Sequence, residues 1–315
     1  MSSSPVAPRL AGIRLHPIKS LDPVSVSQAR ISLSGGLELD RAWALYSVDG
    51  KWVNGKRTPA IHLIRAAYSP DLHQVTLSVP GDRRKIPTRT FDFPAAHEDA
   101  AEWFSVFFEQ QIIVRYSEGG FPDDTIANGP TIVSTASLQA VSDWFPPSPL
   151  GFPGISLDEA RLRFRTTLEI DACSAGRAPL PALSTLSERT RPAAVSNSVS
   201  ESATQTESHP ENLPAFWEDQ LFGENERSVV RFRIGEVHFE GSNPCARCPV
   251  PPRNPITAEN LDGFQKRFTQ LREATLPPWS PRERFDHFYR FATNTRVAPS
   301  EVGKPLRLGD MLQLL

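Results

Sequence analysis

The stretch SVVRFRIGEVHFEGSNPCARC, residues 228–248, decides the fold class. Two runs within it, 228–234 and 236–239, alternate apolar with polar residues, as half-buried β-strands do. Gly235 lies between them and fits a tight hairpin turn. The stretch therefore predicts an antiparallel hairpin whose second strand leads directly into a loop that contains two cysteines.

The rest of the chain has the same character as this hairpin. Thirty prolines and eighteen glycines interrupt short apolar runs over 315 residues, which favours strands joined by turns over long helices. We predict a β-rich α+β fold. Further strands are expected at 11–15, 42–47, 74–79 and 112–115, and helices at 98–110, 136–145 and 257–271.

Residues 174–213 differ from everything around them. The segment contains no aromatic residue and is rich in Ser, Thr, Pro and Glu. Such a composition cannot bury enough apolar surface to offset the entropy of ordering the chain. We predict a disordered surface insertion within one domain rather than a linker between two, because few strands follow it.

Composition and charge narrow the classes of partner. The 34 basic and 36 acidic residues leave a formal charge of -2, so no global field favours nucleic acid or an anionic membrane as partner. The N-terminal residues lack the pattern of a secretory signal, and no run reaches the roughly 18 apolar residues of a membrane span. Three cysteines, an odd number, suit a reducing compartment. We expect a soluble, cytoplasmic protein.

The loop Gly241-Ser242-Asn243-Pro244-Cys245-Ala246-Arg247-Cys248-Pro249 carries the strongest chemical signal. A structural zinc site would need a second pair of ligands, and the remaining cysteine is Cys173. A thioredoxin-type dithiol would need a helix directly after the motif, which the prolines at 249, 251 and 252 oppose. Two readings stay open from these residues alone: a single thiolate that binds a soft metal, or two cysteines that pack as small apolar residues.

Two motifs near the N-terminus add to this loop. HPIKS at 16–20 follows a predicted strand, and LDRAW at 39–43 opens another. Each motif alone is typical of solvated surface. Together with the cysteine loop, these two motifs form a recognisable set.

With these motifs in place, the sequence resembles the MOSC family, whose name refers to the C-terminal domain of molybdenum-cofactor sulfurases. The resemblance is strongest to the two-part, amidoxime-reducing members with an N-terminal β-barrel domain. It implies such a domain at 1–120 and a MOSC β-barrel domain at 121–315. The matching stretches are HPIKSL (16–21), LDRAWALYSVDGKWVNGKRTPAI (39–61), IANGPTIVSTASL (126–138), ARLRFRTTLEIDA (160–172), FWEDQLFG (216–223), GSNPCARC (241–248) and the closing GKPLRLGDMLQLL.

The resemblance also implies a set of site residues. The first cysteine of the family's CxRC loop ligates the molybdenum of molybdopterin, which makes Cys245 the metal ligand and the catalytic residue. The implied cofactor-binding residues are Lys19, Ser20, Arg41, Asn128, Arg165, Thr167, Asn243 and Pro244. The chain departs from the family at Thr167, where relatives with an F-R-P-N segment have asparagine, and near Asn128, where many have Thr-Ser.

The resemblance implies a molybdenum-dependent oxidoreductase that reduces N-hydroxylated compounds such as amidoximes, hydroxylamines or N-hydroxylated bases. No ferredoxin-like cysteine cluster is present, so electrons are expected from a separate reductase, haem or iron–sulfur protein. The alternative is a carrier or sulfuration protein of the molybdenum cofactor without turnover of its own. An ordinary β-rich protein with a structural CxRC loop is the third possibility. The family's membrane anchor and its PLP-dependent sulfurase domain are not expected here.

Overall fold

The computed structural model describes residues 7–123, 126–149, 151–172 and 213–315. The predicted insertion at 174–213 lies outside these ranges except for its last residue. Leu213 is buried in the apolar core, so the prediction of disorder is wrong at this one position. No helix in the described ranges is long and apolar enough to cross a membrane.

Strands form most of the regular structure in these ranges, which confirms the β-rich fold class. The strands are β1 (Pro8–Leu15), β2 (Val24–Val26), β3 (Gln28–Arg30), β4 (Trp43–Ser47), β5 (Trp52–Val53), β6 (Arg65–Tyr68), β7 (Gln74–Ser78), β8 (Arg89–Asp92), β9 (Ile112–Tyr116), β10 (Ile132–Ser134), β11 (Leu168–Ala172), β12 (Val230–Ile234), β13 (Val237–Ala246), β14 (Arg290–Arg296), β15 (Pro305–Arg307) and β16 (Leu312–Leu314). All six strands predicted from the sequence are among them.

The main sheet joins the two ends of the chain. Its eight strands have the order β16-β12-β13-β14-β10-β11-β1-β2, so the first strands of the chain pair with strands that come after residue 121. β10 and β11 are parallel, whereas β1 is antiparallel to both β11 and β2. The predicted domain boundary at residue 120 stays a prediction. β1 and β2, from the N-terminal segment, are part of the sheet that the second half of the chain forms.

Three smaller sheets complete the described strands: β15-β3, β5-β4-β9 and β6-β7-β8. The last two enclose their own apolar core, in which Trp43, Trp103 and Phe104 are buried. A separate core lines the main sheet and includes Phe232 and Phe239. Two further apolar clusters occur in the described chain, one that includes Phe164 and Phe291 and a small one around Phe285.

The hairpin predicted at 228–239 is confirmed. Phe232 of β12 pairs with Phe239 of β13, and their rings stack with centroids 5.4 Å apart. Gly235 has φ of 56°, a left-handed conformation that suits glycine in a two-residue turn. At the other end of β13, a Cβ on Gly241 would lie 1.5 Å from the Leu221 carbonyl oxygen, so only glycine allows this close approach.

Four α-helices occur in the described ranges: α1 (His97–Phe108), α2 (Thr135–Trp144), α3 (Leu157–Phe164) and α4 (Phe264–Ala274). Short 3-10 helices lie at Pro59–Leu63, Trp217–Leu221, Arg282–Arg284 and Pro299–Glu301. α1 and α2 are confirmed within two residues at each end. In α1, Ala100, Trp103, Phe104 and Phe107 are buried at the three- and four-residue spacing that indicated the helix.

The other two helices correct the sequence prediction. α4 begins at Phe264, not at residue 257, because Asn254 Oδ1 accepts the backbone N–H groups of Ile256 and Thr257 and holds a turn there. α3 was not predicted, because its arginines obscure the apolar spacing. Arg161 and Arg163 are both buried in the fold, each beside a carboxylate.

Candidate functional site

One cavity of about 320 Å³ lies where the N-terminal motifs, α3 and the end of β13 meet. β1 leads into the turn at 16–20, and the turn at 39–41 precedes β4. Arg165 caps α3, and the cysteine loop leaves β13. Four segments that are far apart in sequence therefore supply one enclosed, partly polar space, within the size range of small-molecule sites.

The cavity brings together eight of the nine residues that the family resemblance implied. Those that line it are Lys19, Ser20, Arg41, Asn128, Arg165, Thr167, Asn243 and Cys245. Pro244 is the exception. It is buried within β13 opposite Thr293 of β14, on a strand where successive side chains point to opposite faces.

Arg41 and Arg165 both reach the cavity from a left-handed backbone conformation. Each has a positive φ, 53° for Arg41 and 51° for Arg165, which reverses the chain at that point. Neither guanidinium makes a hydrogen bond to any described residue. The contact of Arg41 is an ion pair of 4.0 Å between its Nε and Asp40 Oδ2. Two cations therefore face the cavity without a hydrogen-bonded carboxylate.

The charges around these two arginines differ in their effect on pKa. Burial and the nearby charge of Arg41 lower the pKa of Arg165 to about 10. Burial also lowers the pKa of Arg41, but the charges of Asp40, Asp123 and the two thiols outweigh it and raise the value overall. Both side chains are cationic at neutral pH, and an anion in the cavity would relieve the repulsion between them.

Lys19 is held differently from the arginines. Its Nζ donates to the Phe121 carbonyl at 2.7 Å, lies 3.1 Å from Asp123 Oδ1 and sits 4.9 Å from the centre of the Trp52 ring. Lys56 also lies 3.2 Å from the same Asp123 oxygen. Asp123 is thus a counter-ion shared by two lysines at the cavity.

Cys245 brings a thiol to the cavity beside a guanidinium. Arg247 Nη1 lies 3.0 Å from Cys245 Sγ and 3.4 Å from the Phe291 carbonyl oxygen. Arg247 Nη2 also donates to the Phe164 carbonyl, and its guanidinium lies 5.5 Å from the Phe164 ring centre. This anchoring holds a positive charge next to the sulfur.

Three of the implied residues use polar groups to build the wall. Asn128 Nδ2 donates to the Ser34 carbonyl at 2.7 Å, and its Oδ1 accepts the Val297 N–H at 3.2 Å. Ser20 Oγ accepts the N–H of Gly55 at 3.0 Å. Asn243 Nδ2 donates to the Pro244 carbonyl at 3.3 Å. These side chains therefore fix the shape of the cavity as well as line it.

Several lining residues were not predicted as site residues. Lys56 and Arg163 lie within stretches that match the family, whereas His62 and Asp123 lie outside them. Arg163 is buried and tied down, because its Nη1 donates to the Pro251 carbonyl at 2.8 Å and its Nη2 lies 2.6 Å from Glu159 Oε1. Only the closeness of KWVNGK to LDRAW in the sequence could have pointed to Lys56.

The cavity carries a strong excess of positive charge. Within the described parts of the chain its lining has six cations and two carboxylates, an excess of four charges in a protein whose formal charge is -2. The cations are Lys19, Arg41, Lys56, Arg163, Arg165 and Arg247, and the carboxylates are Asp40 and Asp123. No group of three or more His, Cys, Asp or Glu side chains that could hold a metal ion occurs among the residues described. A metal here would need most of its ligands from a bound molecule.

The fold and the cavity define a β-rich protein with a cationic, thiol-bearing site between its N-terminal segment and its main sheet. Residues 7–111 match the family model described as MOSC N-terminal beta barrel domain. These residues carry that domain, which bears out the predicted resemblance to the MOSC family over this part of the chain. The chain is also similar to mitochondrial amidoxime reducing component 2 of Bos taurus, with 28% identity over 137 residues. That match covers 34% of this chain and 40% of the bovine protein.

Proposed function

We propose that this chain binds the molybdenum cofactor in the cationic cavity and reduces N-hydroxylated compounds with electrons from a separate donor protein. The observation that carries the proposal is the half-buried Cys245 thiol in a cavity with four excess positive charges. The MOSC N-terminal domain and the name of the bovine relative support it.

The residues present fit the cofactor. Molybdopterin has an anionic phosphate and a polar pterin edge, so it needs fixed cations and hydrogen-bonding groups. Arg41 and Arg165 supply cations that no described carboxylate hydrogen-bonds. Two buried polar atoms of the lining, Arg247 Nε and His62 Nε2, also have no hydrogen-bond partner in the described chain. A polar ligand in the cavity would offer both atoms a partner.

Cys245 is the residue that would hold the metal. Its sulfur is a soft ligand and suits a metal already bound by the sulfur atoms of molybdopterin. Arg247, whose Nη1 lies 3.0 Å from Sγ, fixes the position of the sulfur at the end of β13. Arg41, Arg165 and Lys19 would bind and orient the rest of the cofactor.

When bound, the cofactor would supply the two electrons that convert an N–OH group and two protons into an N–H group and water. The chain's tasks are to bind, to orient and to keep an open position for the substrate. The electrons must come from outside, because Cys245 and Cys248 are the cysteines in the described ranges and cannot hold an iron–sulfur cluster alone. A reductase, haem or iron–sulfur protein is the expected donor.

The test compares two cysteine variants purified from a host that makes the cofactor. Cys245→Ser should remove the protein's sulfur–molybdenum signal in X-ray absorption and abolish activity. Cys248→Ser, the matched control, should retain much of both. The assay supplies reduced methyl viologen with benzamidoxime or N-hydroxycytosine. The opposite pattern between the two variants would contradict the assignment of the ligand.

The same preparation separates the enzyme from the alternative, a cofactor carrier or sulfuration protein. Fully loaded wild-type protein should reduce at least one of several N-hydroxylated substrates. If it reduces none of them and instead transfers its cofactor readily to an apo-enzyme, the reductase proposal is wrong and the carrier function replaces it.

A further inference from the structure

His62 is a cavity residue that neither the sequence motifs nor the proposed chemistry uses. It lies in the 3-10 helix Pro59–Leu63 and is only 6% exposed. Its ring lines the cavity, and its Nε2 is buried without a hydrogen-bond partner in the described chain. A buried nitrogen without a hydrogen-bond partner is unfavourable, so its position at the cavity wall calls for an explanation.

The backbone around His62 is fixed from behind. Arg65 Nη2 donates to the His62 carbonyl and, at 2.9 Å, to the Pro255 carbonyl. In front of the ring, a Cβ on Gly55 would lie 3.0 Å from His62 Nε2 and 3.2 Å from its Cε1. The absence of a side chain at Gly55, itself part of the lining, therefore leaves the ring its place at the cavity wall.

The imidazole is neutral in this position. Burial lowers the pKa of His62 to about 4, and the charges of Arg165, Arg253 and Arg65 lower it further in the same direction. A neutral ring among cations adds no attraction for a phosphate, which Arg41 and Arg165 already provide. It is suited instead to an uncharged polar group, with Nε2 as donor or acceptor according to the tautomer.

We propose that His62 is a ligand-contacting residue whose neutral imidazole hydrogen-bonds through Nε2 to an uncharged polar group of the bound cofactor's pterin. The inference rests on the proposed function. It divides the recognition in two: the cations hold the anionic part, and His62 selects for the heterocycle. The unsatisfied nitrogen is then a binding group that becomes satisfied when the ligand enters.

The experiment measures how fast full-length protein loses its cofactor. Wild type, His62→Leu, His62→Met and His62→Gln are purified from a cofactor-producing host. Molybdenum content and the fluorescence of the oxidised pterin are then followed over time. Loss of one neutral hydrogen bond should speed the release about fivefold in both apolar variants. His62→Gln, which is neutral and can still hydrogen-bond, should stay near the wild-type rate. His73→Leu applies the same exchange at an exposed histidine and should change nothing.

The outcomes separate this inference from the function on which it rests. If the apolar variants release the cofactor at the wild-type rate, His62 does not contact the ligand, although the proposed function still holds. A lower melting temperature in both variants with an unchanged release rate would assign His62 a purely structural role and overturn the inference. Wild-type protein that carries neither molybdenum nor pterin would overturn the proposed function and this inference with it.

Discussion

Two arginines four residues apart, Arg161 and Arg165, show opposite treatments of a buried charge. Arg161 is 5% exposed, and its Nε and Nη2 donate to Glu169 at 3.0 and 2.8 Å. Arg165, one turn later, makes no hydrogen bond to a described residue and faces the cavity. Arg161 is thus paired with a carboxylate, whereas Arg165 is left without a hydrogen-bonded partner at the cavity.

The difference arises from where α3 ends. Arg161 lies within the helix and its side chain reaches Glu169 of β11. Glu169 also forms an ion pair with Arg14, whose Nη1 lies 2.7 Å away without hydrogen-bond geometry. Arg165 is the cap residue, and its left-handed conformation turns the chain away from the helix. The side chain therefore leaves the helix surface and enters the cavity.

The electrostatic results are opposite as well. Burial raises the pKa of Glu169, but the hydrogen bonds from Arg161 and the charge of Arg14 outweigh it and bring the value to about 2. At Arg165, burial and Arg41 act in the same direction and disfavour the charge. A paired buried charge maintains the fold, whereas an unpaired one is characteristic of a functional site. The comparison therefore singles out this cavity from the chain's own charges, without reference to any relative.

The largest effect on the free energy of unfolding is expected when the carboxylate of Glu169 is removed from its two arginines. Glu169→Ala would leave Arg14 and Arg161 buried without their carboxylate, at a cost of about 3–5 kcal/mol in the free energy of unfolding. Urea denaturation measures it. Glu273→Ala, the control, removes the partner of the exposed Arg282 and should cost under about 1 kcal/mol. Equal decreases in the free energy of unfolding of the two variants would show that the buried pairing of Glu169 does not stabilise the fold more than a surface ion pair does.

The unpaired arginine should behave in the opposite way. Arg165→Ala should not lower the free energy of unfolding of the cofactor-free protein, since it removes a buried charge that repels Arg41. It should weaken cofactor retention about tenfold or more, because a charge-assisted contact contributes roughly 1.5–3 kcal/mol. Molybdenum content after dialysis gives the measurement, with the exposed Arg233→Ala as control. A variant that is unstable yet retains its cofactor would show that Arg165 belongs to the fold.

The same contrast explains how far the sequence could be interpreted. Local patterns predict the hairpin at 228–239, because alternation and Gly235 are properties of neighbouring residues. They do not predict α3, because its buried Arg161 and Arg163 look like surface until their carboxylate partners are known. Burial of a charge depends on contacts between distant segments, which no local pattern contains.

The site divides in the same way. Motifs shared with a family led to eight lining residues, since a motif preserves the chemistry of a position. Pro244 does not line the cavity, because adjacent residues on β13 point to opposite faces. The motifs also missed His62 and Asp123, which reach the cavity through tertiary folding. Asp123 is the less expected of the two, because it is a carboxylate in a cavity with an excess of positive charge.

The smallest expected effect concerns this carboxylate. Asp123 lies between Lys19 and Lys56, and the charges of Arg41 and both lysines lower its pKa against the opposing effect of burial. It therefore competes with a bound anion for the same cations. Asp123→Asn keeps the shape and removes the charge, so the lining gains one positive charge in excess. Cofactor release should slow by about two- to fourfold at low salt, because a half-exposed charge contributes at most about 1 kcal/mol.

The salt dependence decides the origin of that effect. Raising the salt concentration should reduce the difference between Asp123→Asn and wild type, since mobile ions screen partly exposed charges. Asp49→Asn removes an equally exposed carboxylate that pairs with Lys51 away from the cavity, and it should leave release unchanged. Faster release from Asp123→Asn would mean that Asp123 is needed to position Lys19 for the ligand. In that case the cavity contains one paired cation with a structural role, and the contrast with Arg161 would apply to Arg41 and Arg165 alone.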